Sequence, residues 1–332
     1  MLQTLSPRAL LRSPDYFPLR ADLERGTMKF VPMSASSYRD SVFLDTRTRP
    51  VAGEAFEVRL DDLGLEAAGA PLKARIHFIF NTSFCCSTLL ARHFEAQPEC
   101  FVLKEPVLLA QLAVAPERGS EIWKKALDIS LALFARTYAA RQMVVIKPNE
   151  WCNSLAPELL SREEMTATLL GTPARDFILA VLKNEERRAW LRTRLPSALE
   201  DGKQFLRLRP IALRPPETSD AIAACYIWLL NQCRFQRLAA GPVTGRKIAA
   251  LNGNELADTP KLVLPIHFAL CGIAGTIRPS AMEAYSKGTR FAYTGADRSS
   301  DLAEQDNRCG DEVAEALRWA ESHDFGDLLA YR

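Results

Sequence analysis

Residues 75–94 read RIHFIFNTSFCCSTLLARHF, and this stretch decides the fold. Arg75–Phe80 is a short apolar run suited to a buried strand. Asn81–Ser87 is a turn of mostly small side chains, and a helix is predicted to begin at about Thr88. A strand that enters a tight turn and passes directly into a helix is the layout of a phosphate-binding loop. The backbone N–H groups at the helix N-terminus point at an anion, and the helix dipole favours negative charge. Ser87 and Thr88 add hydroxyl donors in the first turn. The alternative is a plain helix N-cap, in which Thr82 or Ser83 caps the helix and the two cysteines only pack.

The nucleotide-triphosphate loop GxxxxGK[ST] is absent, and neither Gly nor Lys occurs between Asn81 and Leu90. A magnesium-dependent kinase or ATPase is therefore disfavoured. The loop suits a phosphosulfate or a phosphate monoester better.

Beyond this stretch a strand–helix rhythm continues. Cys100–Leu103, Met143–Ile146, Phe177–Leu182 and Lys247–Leu251 read as further strands. Glu121–Gln142, Ser219–Leu238 and Asp311–Ala320 have helical periodicity. Short apolar strands alternating with amphipathic helices predict an α/β domain with a mainly parallel sheet. Ligands bind such sheets at the carboxyl ends of the strands. The residues predicted there are Thr82, Ser83, Ser87, Lys104, Glu105, Lys147, Asn149 and Lys183.

The chain before this rhythm differs. Met28–Met33 and Ser41–Asp45 read as short strands, and 50–69 reads as irregular surface. Residues 1–72 are taken as an N-terminal extension packed on a main domain of residues 73–332. The 332 residues, 48% hydrophobic and 25% charged, are enough to bury a large core without disulfide or metal staples. A net charge of +2 excludes a generic polyanion binder, so any anion site must be local. Eight cysteines without a CxxC or CxxH pair, and four scattered histidines, point to a reduced cytoplasmic compartment and to no metal site. No membrane span and no nucleic-acid module is legible.

The motif order resembles the P-loop sulfotransferases, in particular bacterial sulfotransferase-like proteins that carry a loop of the type TSFCCSTLLAR followed by LKEP. These stand here as Thr82–Arg92 and Leu103–Pro106. The resemblance implies a three-layer α/β/α, P-loop fold. It also implies that Thr82, Ser83, Phe84, Cys85, Cys86, Ser87 and Thr88 hold the 5′-phosphosulfate of 3′-phosphoadenosine 5′-phosphosulfate (PAPS), the co-substrate. This loop departs from many relatives in having Phe84 at a basic position and Cys86 at a glycine. Lys104 or Lys147 is the expected source of the missing charge. The run after Phe177–Leu182 is similar to the family's 3′-phosphate segment, with Lys183 or Arg187 in the role of its arginine. Tyr285-Ser286-Lys287-Gly288 is similar to a late Lys-Gly, which adds Lys287 and Gly288 to the co-substrate residues.

Sulfuryl transfer needs a base for the acceptor and cations or backbone donors for the developing charge. Glu105 is the candidate base. Lys104 either lowers its pKa by pairing or binds the sulfuryl oxygens. His77 and His267 lie in apolar runs and read as hydrogen-bonded core residues. The function expected is transfer of a sulfuryl group from PAPS to a hydroxyl or amine of a small molecule or carbohydrate. A catalytically degenerate protein that binds a phosphate-bearing ligand or a protein partner is one alternative, and a phosphotransferase is another. The acceptor and the oligomeric state are not legible.

Overall fold

The computed structural model describes residues 6–48, 51, 53–67, 71–205, 218–241, 247–273 and 295–329. Its strands are β1 (Tyr16–Asp22), β2 (Thr27–Pro32), β3 (Phe56–Arg59), β4 (Ile76–Asn81), β5 (Cys100–Lys104), β6 (Met143–Lys147), β7 (Met165–Gly171) and β8 (Ile248–Asn252). The first three form an antiparallel sheet. The other five form a parallel sheet of order β5-β6-β4-β7-β8, flanked by helices, which is the α/β class expected from the sequence.

Every residue of β4, β5, β6 and β7 is buried. Strands covered on both faces need no polar face, which is why β4 to β6 read as unbroken apolar runs. The strand order reverses at β4. The chain first moves from β4 to β5 on one side, then from β6 to β7 on the other. The turn leaving the carboxyl end of β4 therefore lies at the switch point of the sheet.

Two sequence expectations are corrected. Phe177–Leu182 is not a strand but the end of a helix, Ala174–Leu182. Of its six buried residues, 174, 177, 178, 181 and 182 follow helical spacing and Leu179 is buried beside them; a short apolar run does not by itself distinguish the two states. The fourth parallel strand of the chain is instead β7, MTATLLG. Ser41–Asp45 likewise forms no strand, whereas 56–67 holds β3 and the helix Leu60–Ala67.

The chain divides into two compact units. The first comprises residues 1–80, 88–168 and 265–282; the second comprises 81–87, 169–264 and 283–332. Within the first unit the N-terminal residues are fastened at several points. The buried Arg136 guanidinium donates to the carbonyls of Leu10 (2.5 Å), Ser13 (2.7 Å), Tyr16 (2.8 Å) and Leu133. The Gln111 side-chain amide pairs with both backbone groups of Ala21. Leu44 donates to the Lys104 carbonyl and accepts from the Val107 N–H, which occupies part of the β5 edge. In the second unit the helices Ala174–Leu182, Glu185–Phe205, Asp220–Ala240 and Gly295–Ser322 share one apolar core, with Phe177, Leu191, Trp228 and Val313 at most 0% exposed.

Candidate functional site

The loop Asn81–Ser87 belongs to the second unit. Ser83, Phe84 and Cys86 adopt left-handed backbone conformations, with φ of +66°, +52° and +66°. Each costs a side-chain-bearing residue about 1–2 kcal/mol, because Cβ crowds the following carbonyl. Such left-handed residues within a turn curl backbone N–H groups into a concavity that suits anions. Two amides of the loop are committed elsewhere: Thr82 donates to the Leu170 carbonyl (3.1 Å), and Ser83 donates to Asn81 Oδ1 (3.1 Å). These two bonds pin the loop to β7 and to its own first residue. The buried Cys85 thiol also donates to Leu170 O (3.5 Å), so that cysteine packs as the helix-cap alternative required.

The rest of the second unit supports the loop closely. A methyl group at Gly253 would collide with the Cys85 carbonyl, so only glycine lets the helix Gly253–Asp258 approach. Asn254 donates to Asp176 (2.6 Å) and accepts from Arg298 (2.5 Å), which ties that helix to two others. Two buried groups near the loop, Thr172 Oγ1 and Gln232 Nε2, make no hydrogen bond. Thr172 lies against the Gly253 position and Gln232 against Gly171, beside Thr82. Buried polar atoms are nearly always paired with protein, water or ligand, so these two are exceptions beside the loop.

Phe84 sits in aromatic company. Its ring meets Trp190 edge-on at 5.1 Å and Phe177 at 6.2 Å, and the Arg187 guanidinium lies 4.7 Å from its centroid. Arg187 is held there by a bond from Nη1 to the Ala180 carbonyl (2.6 Å). The loop and Arg187, both singled out from the sequence, therefore share one neighbourhood. Lys183 instead forms an ion pair with Asp301. Lys287 and Gly288 lie outside the described residues.

The remaining candidates belong to the first unit. Lys104 and Lys147 are both buried, at the ends of adjacent strands β5 and β6. Lys104 does not pair with Glu105, as one sequence reading had it. Its ammonium donates to Glu95 (2.8 Å) and to the Arg39 carbonyl (2.7 Å), while Glu105 pairs with Lys147. The partner of Glu105 thus comes from the neighbouring strand β6. Glu105 also has a left-handed backbone (φ +50°), and its N–H donates to the Lys147 carbonyl (2.6 Å). Arg47 pairs with Asp45, which raises its pKa, and the Glu105 charge adds to that attraction.

His77 and His267 are core residues joined through threonines. His77 bonds Thr166 (2.9 Å) and Thr168 (3.0 Å), and Thr168 bonds His267 (2.8 Å). Burial pushes their pKa values down, to about 3 for His77 and about 4 for His267; His93 falls to about 4 for the same reason. All three are neutral near pH 7. Among the described residues no group of three His, Cys, Asp or Glu side chains is placed to hold a metal ion, and no helix is long and apolar enough to cross a membrane.

Sequence reasoning missed Thr172, Gln232, Gly253, Asn254 and Arg298. Only Gly253, inside LNGNEL after an apolar strand, carried a signal, since an isolated glycine beside a strand marks close backbone approach.

No protein-family model matches the chain, and no curated protein matches it. Solved structures similar to it include a sulfotransferase from Alicyclobacillus acidocaldarius, at 12% identity over 74% of this chain and 96% of the other, with a TM-score of 0.36. A sulfotransferase from Mycobacterium avium aligns at 10% identity over 74% and 79%, with a TM-score of 0.38. The sulfotransferase domain of the Synechococcus PCC 7002 olefin synthase aligns at 14% identity over 72% and 96%, with a TM-score of 0.35.

Proposed function

We infer that this protein is a sulfotransferase-like enzyme that takes a sulfuryl group from PAPS to a hydroxyl or amine of a small molecule or carbohydrate. The observation that carries the reading is the loop Asn81–Ser87. Three side-chain-bearing residues there hold left-handed backbone at the sheet's switch point, directly before a helix. Strain of this kind persists where surrounding structure enforces it, and it clusters at ligand clamps. The unpaired Thr172 hydroxyl and Gln232 amide beside the loop are polar groups that a bound ligand or water could satisfy.

In this reading residues 82–88 hold the phosphosulfate by backbone amides and hydroxyls, and Lys183, Arg187, Lys287 and Gly288 are candidates for the remaining phosphate contacts. PAPS supplies the activated sulfuryl group. Glu105 takes the proton from the acceptor. Lys147, rather than Lys104, pairs with its carboxylate and holds it in place. Residues 1–72 act as an extension of the main domain that shapes the acceptor side.

The test is titration with adenosine 3′,5′-bisphosphate, the desulfated product, followed by thermal unfolding. A ligand that binds only the folded state at 100 times its Kd stabilises by about 2.7 kcal/mol. A rise in Tm of several degrees is expected. A well-folded sample whose Tm does not move at millimolar ligand overturns the reading.

A further inference from the structure

We propose that a pocket in the first unit, lined by Arg8, Arg12 and Lys73 together with apolar side chains, binds an organic anion: a single anionic head on a compact apolar body. The pocket is built from other residues than Asn81–Ser87 and stands apart from the sulfotransferase reading. Its volume is about 310 Å³. A dry cavity of about half that volume admits benzene, so a two-ring body is within its capacity.

Local structure explains why these side chains converge. Pro7–Leu10 is a single helical turn capped by Ser6, whose hydroxyl accepts from the Ala9 N–H (3.2 Å). The coil continues through Leu11, which donates to the Pro7 carbonyl (3.1 Å), and Arg12, which donates to that of Ala9 (3.1 Å). Positions i, i+3 and i+4 of such a coil share one face. Arg8, Leu11 and Arg12 therefore line the pocket together, while Leu10 is buried in the core. Lys73 comes from the approach to β4, and its ammonium donates to the Arg12 carbonyl (3.3 Å), which ties the two segments to each other. Leu72 accompanies it, and the helix Glu121–Phe134 contributes Ala132, whose methyl group takes little of the space.

The charges there are not balanced. Glu66 is the one carboxylate among the lining residues, against three cations. Among the described residues no acid forms an ion pair with Arg8, Arg12 or Lys73. Instead, partial burial and the charges of Arg12 and Arg136 hold the Lys73 ammonium below the ordinary lysine range. Like charges gathered around a concavity raise the free energy of the protein, and an anion that enters relieves it. Guanidinium and ammonium groups serve the head of such a ligand. Leu11, Leu72 and Ala132, all half-buried, remove its body from water. An inorganic ion uses only the first of these contributions, and a neutral compound only the second.

Isothermal titration with three probes tests the assignment. Naphthalene-2-sulfonate has both head and body, naphthalene-2-sulfonamide has the same body with an uncharged head, and methanesulfonate has the head alone. The sulfonate is expected to bind one-to-one with a Kd of about 0.1–1 mM, and each of the other two at least about tenfold more weakly. In Arg12→Gln combined with Lys73→Gln, sulfonate affinity is expected to fall about tenfold while sulfonamide affinity stays within about twofold. Ala132→Phe, which fills the pocket and keeps every charge, is expected to weaken the sulfonate by about tenfold or more. Circular dichroism checks the fold, and Ala132→Leu replaces Ala132→Phe if the latter does not fold.

Absence of sulfonate binding to the unaltered protein at millimolar concentration would overturn the proposal. Equal affinity for sulfonate and sulfonamide, or full affinity in the double variant, would show that the cations do not hold the head. Full affinity in Ala132→Phe, or methanesulfonate binding as well as the naphthalene compound, would reduce the contact to surface charge and overturn the pocket. Binding of adenosine 3′,5′-bisphosphate, the test of the sulfotransferase reading, is a separate measurement that none of these outcomes decides.

Discussion

Lys147, at the end of β6, forms an ion pair with Glu105, the residue just past the end of β5, and the lysine side chain is 5% exposed. The Glu105 carboxylate is 20% exposed, so the pair lies at the margin of the core. Removing one member of a buried pair leaves the other charge without compensation, which costs up to about 3–5 kcal/mol. Lys147→Met should therefore lower urea-measured stability by about 2–4 kcal/mol. Adding Glu105→Gln to that variant should restore part of the loss, because no unpaired charge is left. A double variant less stable than Lys147→Met would show that the pair is not coupled. If the proposed function holds, Glu105→Gln alone should also abolish sulfuryl transfer while leaving nucleotide affinity within twofold.

Acid should weaken the fold through the three buried histidines. Their folded pKa values (about 3, 4 and 4) lie below the ordinary value of 6.5. Between these values the unfolded chain binds protons that the native state refuses. Their stabilising effect is therefore complete only well above pH 6.5 and drains away as pH falls through 6.5 toward 4 and then 3. Each group contributes up to about 1.4 kcal/mol per pH unit. Urea midpoints at pH 7.5, 6.5 and 5.5 should fall slightly over the first interval and steeply over the last, and His77→Asn should reduce that slope by about one proton.

Gly253→Ala should damage the loop from behind. The new methyl would meet the Cys85 carbonyl, which is backbone and cannot rotate away. A loss of about 1–3 kcal/mol is expected, in the range of other overpacking changes. Affinity for adenosine 3′,5′-bisphosphate should weaken with it. Equal stability and affinity in the variant would show that the loop tolerates displacement.

Glycine inside the loop should act in the opposite direction. Ser83→Gly and Cys86→Gly each remove a Cβ from a left-handed residue. The relief of about 1–2 kcal/mol is partly offset by the greater freedom of glycine in the unfolded chain. A net gain of up to about 1 kcal/mol is expected for each, read from denaturant unfolding. A net loss would mean that Ser83 or Cys86 makes a side-chain contact worth more than the strain.

The parts of the fold legible in the sequence were those whose physics is local. β4, β5 and β6 are buried on both faces and so read as unbroken apolar runs. β7 escaped because Thr166 and Thr168 interrupt its apolar character, and those threonines are there to bond the buried His77 and His267. Their purpose is visible only once distant strands meet. β1 escaped for a related reason: Pro18 and Arg20 flank a register shift, which breaks the period-two pattern. Within the candidate site, the loop was legible from small residues between a strand and a helix. The partner of Glu105 was not, because adjacency in sequence favours Lys104, while the actual partner lies on a different strand. The seat of Arg187 on Phe84 spans about a hundred residues of chain, and no periodicity connects them.

Arg136→Met should loosen the N-terminal residues. The buried guanidinium serves carbonyls at Leu10, Ser13, Tyr16 and Leu133, and burial lowers its pKa only to about 10, so it stays charged at neutral pH. Methionine fills similar volume but leaves those acceptors unpaired, at about 1–3 kcal/mol for each one that stays buried. Limited proteolysis should then cut within residues 6–16 much faster than in the unaltered protein. Equal cleavage rates would show that β1 and its neighbours hold the segment without this arginine.

The same clamp sets an order of events during synthesis. Leu10, Ser13 and Tyr16 leave the ribosome more than a hundred residues before the arginine that receives their carbonyls. The portion made first is thus sealed only after residue 136 has emerged. Until then a nascent chain must carry Phe17 and its apolar neighbours unprotected, which makes this segment a natural client for a holding chaperone.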